Sequence, residues 1–171
     1  MSREVLPDRL KDRPWDERRK VPVPHFNVMA DGSVNYTGIN AATVIECGMN
    51  MLCGICGKDL DYWIAFIGGP VSLANRTYSD PPMHRECAEA AMRYCPHIRV
   101  RNHRRTPDER QPEDSWASPL AVMEKPAEWI IALTRHYKMI PHDPGVLFRT
   151  DTIKHSLRYR YSEAGLLEPV E

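Results

Sequence analysis

No run of apolar residues in this 171-residue chain is long enough to span a bilayer. The first twenty residues, MSREVLPDRLKDRPWDERRK, lack the apolar core of a signal peptide. Net charge is lacking too: 23 basic side chains balance 23 acidic ones, so wholesale attraction to nucleic acid or to an anionic membrane is not expected. Cysteines are few and odd in number, five, which argues against a secreted disulfide framework. No phosphate-cradling glycine loop, nucleophile elbow, prominent acid pair or internal repeat is present. These absences predict a cytoplasmic protein without an obvious catalytic centre. Fifteen prolines and a mean hydropathy of −0.51 predict much irregular structure.

What remains is a spacing. Cys53-Gly-Ile-Cys56-Gly is a Cys-x-x-Cys knuckle, and His84-Arg-Glu-Cys87 follows after 27 intervening residues. In a reducing compartment such pairs point to metal or redox chemistry rather than to a disulfide. Glycine at 54 and 57 permits a tight turn that aims two thiolates at one ion. His84 and Cys87 are three apart at an expected helix start and so share a face, where the helix N-terminus favours a thiolate. Four such donors suit a tetrahedral zinc. The predicted ligands are therefore Cys53, Cys56, His84 and Cys87, holding one structural Zn2+.

Three competing readings stand beside this one. The pairs could be unrelated buried cysteines. A redox dithiol would belong at a helix start after a strand, whereas these glycines suit a knuckle. An iron–sulfur cluster using Cys95 as fourth ligand requires the helix to break, since eight helical residues rise about 12 Å. Cys47 and Cys95 are expected to be packed in helices.

The surrounding chain predicts an α+β fold. Residues 1–20, with seven basic and five acidic side chains, read as a mobile or surface-lying arm. Residues 21–100 read as the zinc domain. There, VPVPHFNV is an extended edge segment, Asp31-Gly32 is a turn into a strand over 33–37, and Asn40 caps a short helix over AATVIECGM. YWIAFI reads as a strand turning at Gly68-Gly69-Pro70 and returning over 71–78. Asp80-Pro81-Pro82 starts a helix that runs to Cys95 and stops at Pro96. Knuckle, hairpin and ligand-bearing helix together make a treble clef. Residues 101–119 read as a linker or surface loop. Residues 120–171 read as a β-rich segment packed on the zinc domain, with a hairpin turning at Asp143-Pro144-Gly145 and a strand over SLRYRY.

Four protein ligands leave a zinc ion no open position for water, so the predicted site is structural. A His-Asn-His nuclease would need a general-base histidine on the hairpin, and residues 62–78 contain none. The segment HIRVRNHRR carries Arg99, Arg101, Arg104 and Arg105. These could follow a phosphate backbone, or form a solvated loop balanced by Asp108, Glu109, Glu113 and Asp114. Arg158 and Arg160 alternate with Tyr159 and Tyr161, a pattern of half-core, half-solvent strand.

The motifs CGICGKDLDYWIAFIGGP, DPPMHRECAEAAMRYCPHI and LTRHYK…GVLFR resemble an uncharacterised family of small zinc-knuckle proteins of actinobacteria and their bacteriophages. The resemblance covers the chain from VPVPHF onward, departing in its tail. It implies a zinc module and a phage or actinobacterial source, and supplies no activity. The expected role is a non-enzymatic interaction or adaptor protein with a protein partner, acting on a host or recombination complex. Nucleic-acid binding through 97–105 is the alternative, and a metal-dependent nuclease the third.

Overall fold

A computed structural model of the chain describes residues 5–36, 39–102, 115–116, 125–143 and 145–170. It mixes helix and strand, in agreement with the α+β expectation. In chain order, the short helix α1 (Asp8–Lys11) leads into β1 (Trp15–Asp16) and β2 (Val21–Pro22), which pair antiparallel. A 3-10 turn over His25–Asn27 follows, then β3 (Ile39–Asn40) and α2 (Ala41–Met49). The Asn40 side chain caps α2 by accepting from the Thr43 amide at 3.2 Å, satisfying one of the unpaired donors of the first turn. Next come β4 (Ile64–Gly68), α3 (Pro70–Asn75), β5 (Thr77–Tyr78), β6 (Met83–His84), α4 (Arg85–Tyr94) and α5 (Pro96–Arg99). The chain closes with β7 (Ser115–Trp116), β8 (Glu128–Thr134), β9 (Tyr137–His142), β10 (Gly145–Thr150), β11 (His155–Tyr161) and β12 (Leu167–Pro169).

The central sheet has five strands in the order β12-β11-β8-β4-β6, with β4 antiparallel to β8 and β6. β4 is buried along its whole length, which explains why IAFIG reads as an unbroken apolar run. Its successive side chains point to opposite faces, and the two faces feed two cores. Ala65 and Ile67 join Ile131 and Leu133 of β8 in a cluster with Cys53, Cys56, Cys87, Met92 and Leu10. Ile64 and Phe66 join Ala132 in a second cluster with Val44, Tyr78, Val146 and Phe148. A smaller sheet, β5-β10-β9, covers the second core together with α2.

Several expectations are corrected. Residues 71–78 do not return as a strand on β4. Pro70 occupies the first turn of α3, where its missing amide costs nothing, and Arg76 ends that helix in the left-handed region. The partners of β4 come from β6 and from β8, far along the chain. Pro81 and Pro82 are buried and precede the helix, which begins only after His84. The segment after Asp31-Gly32 gives a single bridge, Val28 to Val34, rather than a strand, and Thr37 lies outside the described residues. The N-terminal arm is not merely a surface element: Leu6 and Leu10 are buried in the first core. The hairpin of β9 and β10 forms around the expected turn, of which Pro144 lies outside the described residues, as does most of 101–119. Among the described residues, no helix is long and apolar enough to cross a membrane.

Candidate metal centre

The residues from Leu52 to Asp59 fold into a knuckle closed by backbone bonds. The Cys53 amide donates to the Lys58 carbonyl at 2.8 Å, and the Gly57 amide donates to the Cys53 carbonyl at 2.7 Å. Gly57 holds φ +77°, a left-handed conformation that glycine adopts without steric cost. Gly54 is needed for a different reason: a Cβ there would lie 2.3 Å from Pro81 Cγ. Pro81 and Pro82 thus pack against the knuckle, and the Gly54 amide donates to the Pro82 carbonyl at 2.9 Å. This contact brings the second pair of donors to the first. His84 ends β6 and immediately precedes α4, and Cys87 lies in the first turn of that helix.

Cys53, Cys56, His84 and Cys87 converge so that their donor atoms all lie within 4.8 Å of one another. All four are buried, with relative exposures of 0%, 5%, 1% and 0%. His84 Nδ1 lies 3.4 Å from Cys56 Sγ and 3.8 Å from Cys87 Sγ. A tetrahedral ion with bonds of about 2.3 Å to sulfur and 2.0–2.1 Å to nitrogen separates such donors by about 3.6 Å. The donor set is therefore one that could hold a single metal ion.

The atoms behind the donors fit as well. His84 Nε2–H donates to the Asp59 carbonyl at 2.8 Å, which turns Nδ1 toward the sulfurs, where it can ligate once its proton is displaced. A carbonyl partner of this kind fixes tautomer and ring orientation in metal sites. The His84 amide donates to Cys53 Sγ at 3.4 Å. Hydrogen bonds from the Cys53 and Cys87 thiols hold the Cys56 thiol far below the ordinary thiol range, despite burial. The same contacts, with burial, push Cys87 upward. Burial opposes charge on His84, yet hydrogen bonds to Cys53 and Cys56 outweigh it and raise this imidazole to about 10. Cys56, His84 and Cys87 thus share protons as one unit, protons that an incoming cation would displace.

The arm supplies contributions that sequence reasoning missed. Burial lowers the Arg13 guanidinium, while the charges of Cys56 and Cys53 pull it back up. Its Nε donates to the Val23 carbonyl at 2.9 Å. Three thiolates around a divalent ion would carry one net negative charge, and Arg13 lies near enough to feel the charges of Cys56 and Cys53. Arg9 joins Asp61 on the knuckle side, at 2.6 Å, to Glu86 on α4. Neither arginine stands out among seven basic residues in twenty. The role of Asp59 is played by a backbone carbonyl, which no residue type signals.

Cys95 follows the last residue of α4, which is unbroken from Arg85 to Tyr94, so the geometry gives it no part in the four-donor set. Cys47 is fully buried in α2, and burial raises its thiol to about 12. Of the basic segment, Arg99 and Arg101 are exposed, while Arg104 and Arg105 lie outside the described residues. Two of its residues serve the fold: Ile98 is buried, and Val100 bridges Leu166 and accepts from Lys125 Nζ at 2.6 Å. Arg158 and Arg160 both pair with the buried Glu128, at 2.6 and 3.1 Å, and so are spent inside the sheet.

No family model, curated protein or solved structure matches the chain.

Proposed function

We propose that this chain is a zinc-stabilised, non-enzymatic interaction protein. One observation carries the reading: the four converging donors are buried and all belong to the protein. Such a set completes a tetrahedral ion and leaves no position for a catalytic water. Three thiols and one imidazole are the soft and borderline donors that zinc takes. The knuckle and helix α4, which carries Cys87 and is preceded by His84, are the two ends of a treble-clef arrangement, here joined by β4, α3, β5 and β6 rather than by a hairpin. The metal's task is to tie the knuckle to α4, which frees the outer strands to meet a protein partner. The sequence resemblance adds a host or recombination complex of an actinobacterium as the setting for that partner.

The test is affinity capture from an actinobacterial lysate, with metal analysis of the bait. The reading expects one zinc per chain and a protein retained by the intact chain but not by Cys56→Ser. Divalent-dependent cleavage of plasmid DNA by the intact chain would instead establish a nuclease.

A further inference from the structure

The small sheet β5-β10-β9 has a face turned away from both cores. Alternation along β10 buries Val146, Phe148 and Thr150 and leaves Gly145, Leu147 and Arg149 facing out. The register places Lys138 directly opposite Arg149, Ile140 opposite Leu147, and His142 opposite Gly145. On the other side of Arg149 lies Thr77, preceded by Arg76. Lys138, Arg149, Arg76 and His142 are all exposed.

The direct opposition of Lys138 and Arg149 is unfavourable. Cross-strand partners stand about 5 Å apart at Cβ, and like charges there destabilise a sheet. Elsewhere in this protein, neighbouring arginines are neutralised: Arg158 and Arg160 share Glu128. Among the described residues, no carboxylate forms an ion pair with Lys138, Arg149 or Arg76. The fold therefore retains a repulsive basic pair, Lys138 and Arg149, with no acidic partner among the described residues, beside an aliphatic pair, Ile140 and Leu147.

We propose that this face binds the phosphate backbone of single-stranded nucleic acid, with Lys138 and Arg149 as phosphate contacts. A strand of nucleic acid carries one negative charge per nucleotide, and basic side chains on neighbouring sheet strands stand about 4.7–4.9 Å apart, close enough for long flexible side chains to meet successive phosphates. The half-buried Ile140–Leu147 pair offers an apolar floor for a base beside the phosphates. This site shares no residue with 97–105 and does not depend on the identity of the metal.

The probe is a fluorescently labelled single-stranded oligodeoxynucleotide, titrated by anisotropy against the full chain over a salt series. Wild type binds with a negative salt slope. Lys138→Glu and Arg149→Glu each weaken binding about tenfold, and each lost contact flattens the slope by about 0.7. Lys138→Glu also creates an opposite-charge pair with Arg149, so its melting temperature equals or exceeds that of wild type. Loss of binding without loss of stability separates a contact residue from a structural one. Arg158→Glu, which removes an already paired arginine, leaves the slope unchanged if the chain stays folded by circular dichroism. The proposal is overturned if wild type ignores the oligonucleotide, or retains polyglutamate but not the oligonucleotide. It is equally overturned if binding survives Lys138→Glu and Arg149→Glu and is lost only when Arg99, Arg101, Arg104 and Arg105 are neutralised. Zinc content, measured on the same preparations, reports on the metal reading independently.

Discussion

The two faces of β4 and β8 open onto cores built by different means. One core is a stack of aromatics: Phe66 lies 5.1 Å from Tyr78 and 5.9 Å from Phe148 between ring centroids, and Tyr137 meets Phe148 at 5.7 Å. α2 and the small sheet cover it, and it needs nothing but side chains. The other core contains the ring of donors at Cys53, Cys56, His84 and Cys87, lidded by a charged arm that commits only a few apolar side chains to it. The aromatic core can pay the entropy of ordering from buried area. The metal-side core is the larger of the two, with Leu10, Ile67, Met83, Met92, Ile131 and Leu133 beside the donors, and its knuckle turns back on itself within a few residues. A metal held by the four donors would therefore tie the knuckle to α4 on one side of the sheet only.

The largest blow to this asymmetry is removal of the ion. A structural zinc contributes on the order of 10 kcal/mol, so Cys56→Ser or Cys87→Ser leaves the chain without metal and without cooperative unfolding by circular dichroism. The aromatic side answers to an ordinary cavity. Phe148→Ala costs about 3–5 kcal/mol, measurable by urea denaturation, while zinc stoichiometry in the folded fraction stays at one. Leu10→Ala tests whether the arm belongs to the metal-side core. Its loss costs about 2–5 kcal/mol, and chelators strip the metal faster, because the arm carries Arg9 and Arg13 over the site. An arm that merely lay on the surface would show neither effect.

The smallest effect concerns Tyr78, whose buried hydroxyl has no hydrogen-bond partner among the described residues. Burial raises this phenol from 10 to about 12. A raised folded pKa means that its stabilising contribution is complete below pH 10 and is lost as the pH climbs through 12. Tyr78→Phe therefore leaves neutral-pH stability within about 1 kcal/mol of wild type, and moves the alkaline unfolding midpoint upward.

The sequence showed the donors more readily than their setting. Cys53, Cys56, His84 and Cys87 carry their chemistry in residue type and spacing, and α2 was legible because Asn40 caps it. β4 was legible as a run of aromatic and β-branched residues. Its partners were not, because antiparallel pairing with β8 links residues more than sixty positions apart and leaves no local mark. Residues 71–75 contain both strand-favouring and helix-favouring types, and Pro70 decides the matter only once its place at a helix start is known. The arm was misread because twelve charges in twenty residues obscure Leu6 and Leu10, two apolar positions that tertiary packing selects.

The most direct test of the metal's role is removal and return of the ion in the intact chain, followed by near-UV circular dichroism and elemental analysis. The account predicts one zinc per chain as purified, loss of the tertiary signal when a strong chelator strips it, and recovery on adding one equivalent of zinc. A chain that keeps its spectrum after complete stripping, or that carries iron in place of zinc, would contradict it.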